Sequence, residues 1–86
     1  MSSLRCVVRD SEVGDGETRM VLAIDGVDGD LVFTLPCETS TVEGDVLAFN
    51  GGRLTSGKNG NVSINDYRWV RVYRDNSPID TYENPC

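Results

Sequence analysis

The stretch Val42-Glu43-Gly44-Asp45-Val46-Leu47-Ala48-Phe49-Asn50-Gly51-Gly52-Arg53-Leu54 decides how this chain folds. A Gly-Asp pair turns the backbone into an apolar run, which meets two consecutive glycines and continues as Arg53-Leu54-Thr55. Glycine inside a strand marks a bulge or a sharp bend. A long strand bent at its middle is what a small, strongly curved barrel needs in order to close. The passage therefore predicts one bent strand from Val46 to Thr55.

Moving outward from it, no segment carries a helical period. Short alternating runs separated by Gly- and Asp-rich turns recur instead, the pattern of an antiparallel barrel or sandwich. Upstream, Leu4 to Arg9 forms a first run that ends in the acidic loop Asp10 to Glu17. Arg19 to Ile24 forms a second, with Met20, Leu22 and Ile24 on one face. Asp25-Gly26-Val27-Asp28-Gly29 supplies residues that tolerate positive φ, as a hairpin turn requires. Leu31, Phe33 and Leu35 share a face of the third run, and Pro36 stops it because proline cannot donate to a ladder. The connector Cys37 to Glu43 is too short and too Thr-rich for a good helix.

Downstream, Ser56-Gly57-Lys58-Asn59-Gly60 reads as a tight turn and Asn61 to Asn65 as a fifth strand, followed by the closing run Trp69 to Tyr73. Three strands, a connector and two further strands is the order of an OB-fold, a five-stranded Greek-key barrel. An SH3-like barrel is the competing architecture, and the connector between the third and fourth strands favours the OB order. The expected organisation is an all-β OB domain over 1–75, with a minimal or absent helix between strands three and four. An extended C-terminal tail containing Pro78 and Pro85 is expected over 76–86.

At 86 residues there is room for one core. Eight Lys plus Arg against 14 Asp plus Glu give a net charge of −6. A free-standing nucleic-acid binder is usually basic, because phosphate neutralisation supplies much of its affinity. No apolar run is long enough to span a bilayer, and no signal peptide follows Met1, so a soluble intracellular protein without a membrane partner is expected. Cys6, Cys37 and Cys86 are widely spaced, without a C-x-x-C pair, and there is no histidine. No metal site or cofactor is expected. Cys6 reads as a small buried apolar residue and Cys86 as a free thiol.

The passage from Glu43-Gly44-Asp45 to Ile64, followed by Val70 to Pro85, resembles the single-stranded-DNA-binding OB domains of the SOSS-B and archaeal type. The shared features are the Gly-Asp step into the strand, the mid-strand glycine, the tight Lys-Gly-like turn and the short apolar return strand. Arg71-Val72-Tyr73-Arg74-Asp75 and Tyr82-Glu83-Asn84-Pro85 match the Val-Tyr step and the acidic, Pro-containing tail of that family. The resemblance implies a nuclear subunit of a DNA-repair or genome-maintenance complex that binds single-stranded DNA or RNA and contacts a larger scaffold protein. The family places aromatic stacking platforms at positions that are Pro36, Gly57 or Lys58, and Asn65 here. Each such platform contributes about 1–3 kcal/mol per stacked base.

The candidate binding residues are Arg53, Lys58, Tyr67, Trp69, Arg71 and Tyr73. Trp69, Arg71 and Tyr73 share one face of their run, opposite Val70 and Val72, and an Arg between two aromatics can stack on bases. The same three residue types dominate protein-interaction hot spots. Arg5, Arg9 and Arg19 alternate with apolar residues as an exposed strand face or a phosphate track. Asp10, Glu12, Asp15 and Glu17 would repel phosphate from the loop joining the first two strands. Without histidine there is no conventional triad, and no acid, base and nucleophile converge, so no enzyme activity and no small-molecule substrate are expected. Two functions follow: an OB subunit that binds single-stranded nucleic acid, weakly or with partners, and an OB barrel that serves only as a protein-interaction subunit.

Overall fold

Residues 31–35, Leu-Val-Phe-Thr-Leu, are buried at odd positions and exposed at even ones, the signature of a strand with one face on a core. The computed structural model describes residues 3–24, 26–56 and 62–86. Its strands are β1 (Ser3–Gly14), β2 (Glu17–Ile24), β3 (Leu31–Leu35), β4 (Val46–Ser56), β5 (Val62–Arg74) and β6 (Ser77–Glu83). All neighbours are antiparallel, in the spatial order β3-β2-β1-β4-β5-β6.

The sheet curls into a half-barrel around Cys6, Val8, Met20, Leu22, Leu35, Leu47, Phe49, Val70 and Val72, each at most 1% exposed. Burial raises the Cys6 thiol pKa from 9.0 to about 11. Across the curl β3 approaches β5 through side chains. Phe33 of β3, Phe49 of β4 and Tyr67 of β5 form a mutual edge-to-face trio with centroids 5.2–5.7 Å apart.

The curl has two local sources. β1 is bulged between Val8 and Asp10. Across β4 and β5 the register steps from Asn50 opposite Trp69 to Gly51 opposite Tyr67, so Arg68 is the extra residue. Gly51 and Gly52 take φ of 75° and 96° on the facing strand, as the bent reading of this stretch requires. At Gly52 a Cβ would stand 3.3 Å from Tyr67 Cβ and 3.5 Å from Ile64 Cγ2.

Several expectations change. Among the described residues the strands number six, not five, because 77–83 pairs with β5 instead of trailing as a tail. Pro78 is tolerated there because β6 is an edge strand and the register shifts between Val72 and Tyr73. The return strand and the closing run are one continuous, bulged β5. The acidic loop is mostly strand: Gly14 faces Glu17 across the two-residue turn Asp15-Gly16, with φ of 55° and 79°. Cys86 is not free but forms a disulfide with Cys37. The expected turn at 57–60 lies outside the described residues.

The connector from β3 to β4 contains no helix and is tied down by polar contacts. Thr18, fully buried, donates to the Cys37 carbonyl at 2.9 Å and accepts from the Thr39 N–H at 2.9 Å. Asp45, 2% exposed, receives Arg74 through Nε and Nη2, both at 2.9 Å, and the Val42 N–H at 3.0 Å. Arg74 also donates to the Ser40 carbonyl at 3.0 Å. Its hydrogen bonds are the main reason that the Asp45 carboxyl is held below the usual carboxylate range.

Candidate binding surface

β5 is amphipathic over its second half, and the register of its neighbours decides what stands beside each outward residue. Trp69 lies between Asn50 and Glu83, Arg71 between Ala48 and Thr81, and Tyr73 between Val46 and Pro78. On the far side of β4, Arg5 faces Ala48 and Val7 faces Val46. The outer face of β1, β4 and β5 therefore carries Arg5, Val7, Val46, Trp69, Arg71 and Tyr73 as one band. Val7 is 46% exposed and adds apolar surface to the band.

Each arginine in the band lies over a ring. The Arg71 guanidinium carbon stands 4.8 Å from the centroid of Trp69 and that of Arg5 stands 5.2 Å from Tyr73. Such pairs are cation–π contacts that also spread the two apolar rings beside their charge. Arg71 Nε donates to Thr81 Oγ1 at 3.3 Å. Among the described residues the ion pairs are Arg53–Asp66 and Arg74–Asp45, so neither Arg5 nor Arg71 is neutralised by a carboxylate. Beside the band a groove of about 680 Å³ is lined by Arg5, Val7, Arg9 and Val46 together with Asp28 and Asp30.

A second groove of about 340 Å³ lies where β3 and β5 approach. Pro36 and Asn65, two of the positions where the resemblance expects aromatic platforms, line it together with Asp66 and Asn84. Its two aromatic residues, Phe33 and Tyr67, are each 7% exposed and present no open ring face to a ligand.

The six candidate residues thus separate. Trp69, Arg71 and Tyr73 stand together on the outer face. Tyr67 is in the core, where burial raises its pKa. Arg53 is exposed on β4 and bridges to Asp66 at 2.9 Å. Lys58 lies outside the described residues. Sequence reasoning missed Arg5, Val7 and Val46 as companions of Tyr73. The alternation of Arg5-Cys6-Val7 is visible in the sequence, but the β1–β4–β5 register that aligns it is not. No family model, no curated protein and no solved structure matches the chain, so what it is related to rests on its residues and its strand order alone.

Proposed function

We propose that the chain is an OB-type binding subunit that contacts a protein partner through the outer face of β1, β4 and β5. The OB assignment is supported by the three-strand meander, the return of β4 beside β1, and the approach of β3 to β5. One observation carries the binding role: Trp69, Arg71, Tyr73 and Arg5 converge with exposed Val7 on one band that no carboxylate pairs among the described residues. Trp, Tyr and Arg are the residues that anchor protein interfaces. The net charge of −6 and a β3–β5 groove without open rings weigh toward a protein rather than a phosphate backbone.

The second reading is contact with single-stranded DNA or RNA on the same band, favoured by the two arginine–ring pairs. By the SOSS-B-like resemblance, either role belongs to a genome-maintenance complex with a larger scaffold protein. A lasting disulfide belongs to an oxidising environment. The Cys37–Cys86 bond therefore weighs against the intracellular, nuclear location that the resemblance implies, unless the pair opens and closes.

Titration of fluorescent oligo-dT and oligo-U with the chain at low and moderate salt separates the two. The protein reading expects no binding that depends on salt, and a partner cross-linked to the wild type but not to Trp69→Ala or Arg71→Glu. Salt-sensitive micromolar binding, lost in those variants, would overturn it in favour of the second.

A further inference from the structure

β6 is the least embedded strand of the sheet. Six of its seven residues are exposed, and only Tyr82 packs, half-buried, against the core. Such a strand has little apolar burial to offset the entropy of ordering it. It is held by its ladder to Trp69–Arg74 and by contacts just beyond it: Asn84 N–H to the Arg68 carbonyl at 3.0 Å, and Asn84 Nδ2 to the Tyr67 carbonyl at 2.9 Å. At one end it leaves β5 through the turn Asp75-Asn76, two non-glycine residues at φ of 53° and 64°. At the other, Cys86 is bonded to Cys37, whose carbonyl is held by Thr18 and which packs against the core. The strand is thus suspended between a turn and a covalent clasp.

We propose that Cys37–Cys86 is a redox-operated clasp that holds β6 over the edge of β5. A dithiol reductant breaks the S–S bond: two electrons and two protons pass to the cysteines, leaving a thiol on each, while the reductant closes to its own disulfide. β6 then leaves the sheet, and residues 69–74 become an open edge with unpaired backbone groups. Such an edge accepts an extended segment by strand addition. Release also removes Thr81 from Arg71 and Glu83 from its place opposite Trp69. That effect on ligand binding rests on the proposed role of the outer face, whereas the release itself does not.

The test is hydrogen exchange on the full chain, first incubated with oxidised glutathione, then compared with and without dithiothreitol and with Cys86→Ser. Titration with Ellman's reagent under denaturing conditions should find one thiol before reduction, that of Cys6, and three after it. Amides of 77–83, and those of 69–74 that bond to β6, should exchange at least tenfold faster in the reduced chain and in Cys86→Ser. Amides of β1, β2 and β4 should keep their protection. Three thiols before reduction, or unchanged exchange in 77–83, would overturn the proposal. Equal loss of protection in every strand would overturn it too, because the bond would then be a staple of the whole fold. None of these outcomes depends on what the outer face binds.

Discussion

Asp45→Ala should destabilise the fold by about 3 kcal/mol. The carboxylate is 2% exposed and accepts two hydrogen bonds from Arg74 and one from Val42. Breaking a buried ion pair costs about 3–5 kcal/mol, and the Arg74 side chain is 39% exposed, so water recovers part of its loss and the lower end applies. With an unfolding entropy of roughly 2.1 cal/mol/K per residue, 86 residues convert this to a fall in Tm of about 17 °C. Arg74→Ala should also destabilise the fold, because it leaves the carboxylate buried with Val42 as its remaining donor. The double variant should then fall short of the sum by more than about 1 kcal/mol, the mark of direct coupling.

The pH dependence supplies an independent check. A carboxyl depressed in the folded state contributes stability that is present above its unfolded value near 3.8 and lost as pH falls through the folded value. Wild type should therefore lose stability below about pH 4 along a slope that Asp45→Ala lacks. Thermal melts followed by circular dichroism from pH 2.5 to 7 measure both effects. A fall in Tm of less than about 4 °C, or additive single variants, would refute the view that this pair anchors the connector to β5.

Three further outcomes are expected. Gly52→Ala should cost about 1–3 kcal/mol in denaturant unfolding, because φ is +96° and the new methyl meets Tyr67 Cβ at 3.3 Å. Cys6, whose folded pKa is raised from 9.0 to about 11, contributes stability present below pH 9 and lost as pH rises through 11. Wild type should thus lose about 2 kcal/mol between pH 8 and 10.5 that Cys6→Ala does not. Finally, a net charge of −6 with two ion pairs among the described residues implies self-repulsion that salt screens. Raising sodium chloride from 0.02 to 0.5 M should raise Tm, and an unchanged Tm would contradict that electrostatic account.

Tyr67 shows how a local reading of β5 fails. Among the candidate residues it stands as an aromatic that could converge on one surface with Trp69 and Arg71, and strict alternation along β5 would put it on their face. The extra residue at Arg68, with Asp66 at φ 62°, shifts the parity by one and sends Tyr67 into the core beside Phe33 and Phe49. Past the bulge, alternation holds: Val70 and Val72 are buried, and the outward trio stands where its spacing puts it. Residues 77–83 were legible as extended but not as a strand, since their exposed side chains carry no alternating apolar signal.

Alternation and turn chemistry act over a few residues, so the sequence by itself determined an all-β chain, the faces of its runs, the stop at Pro36 and the bend at Gly51-Gly52. Which distant residues meet depends on how the sheet curls and on which strands it sets side by side. That alone decided the pairing of Asp45 with Arg74, of Cys37 with Cys86 and of Arg5 with Tyr73. These contacts span 29, 49 and 68 residues (73 − 5 = 68), far beyond the reach of any local pattern.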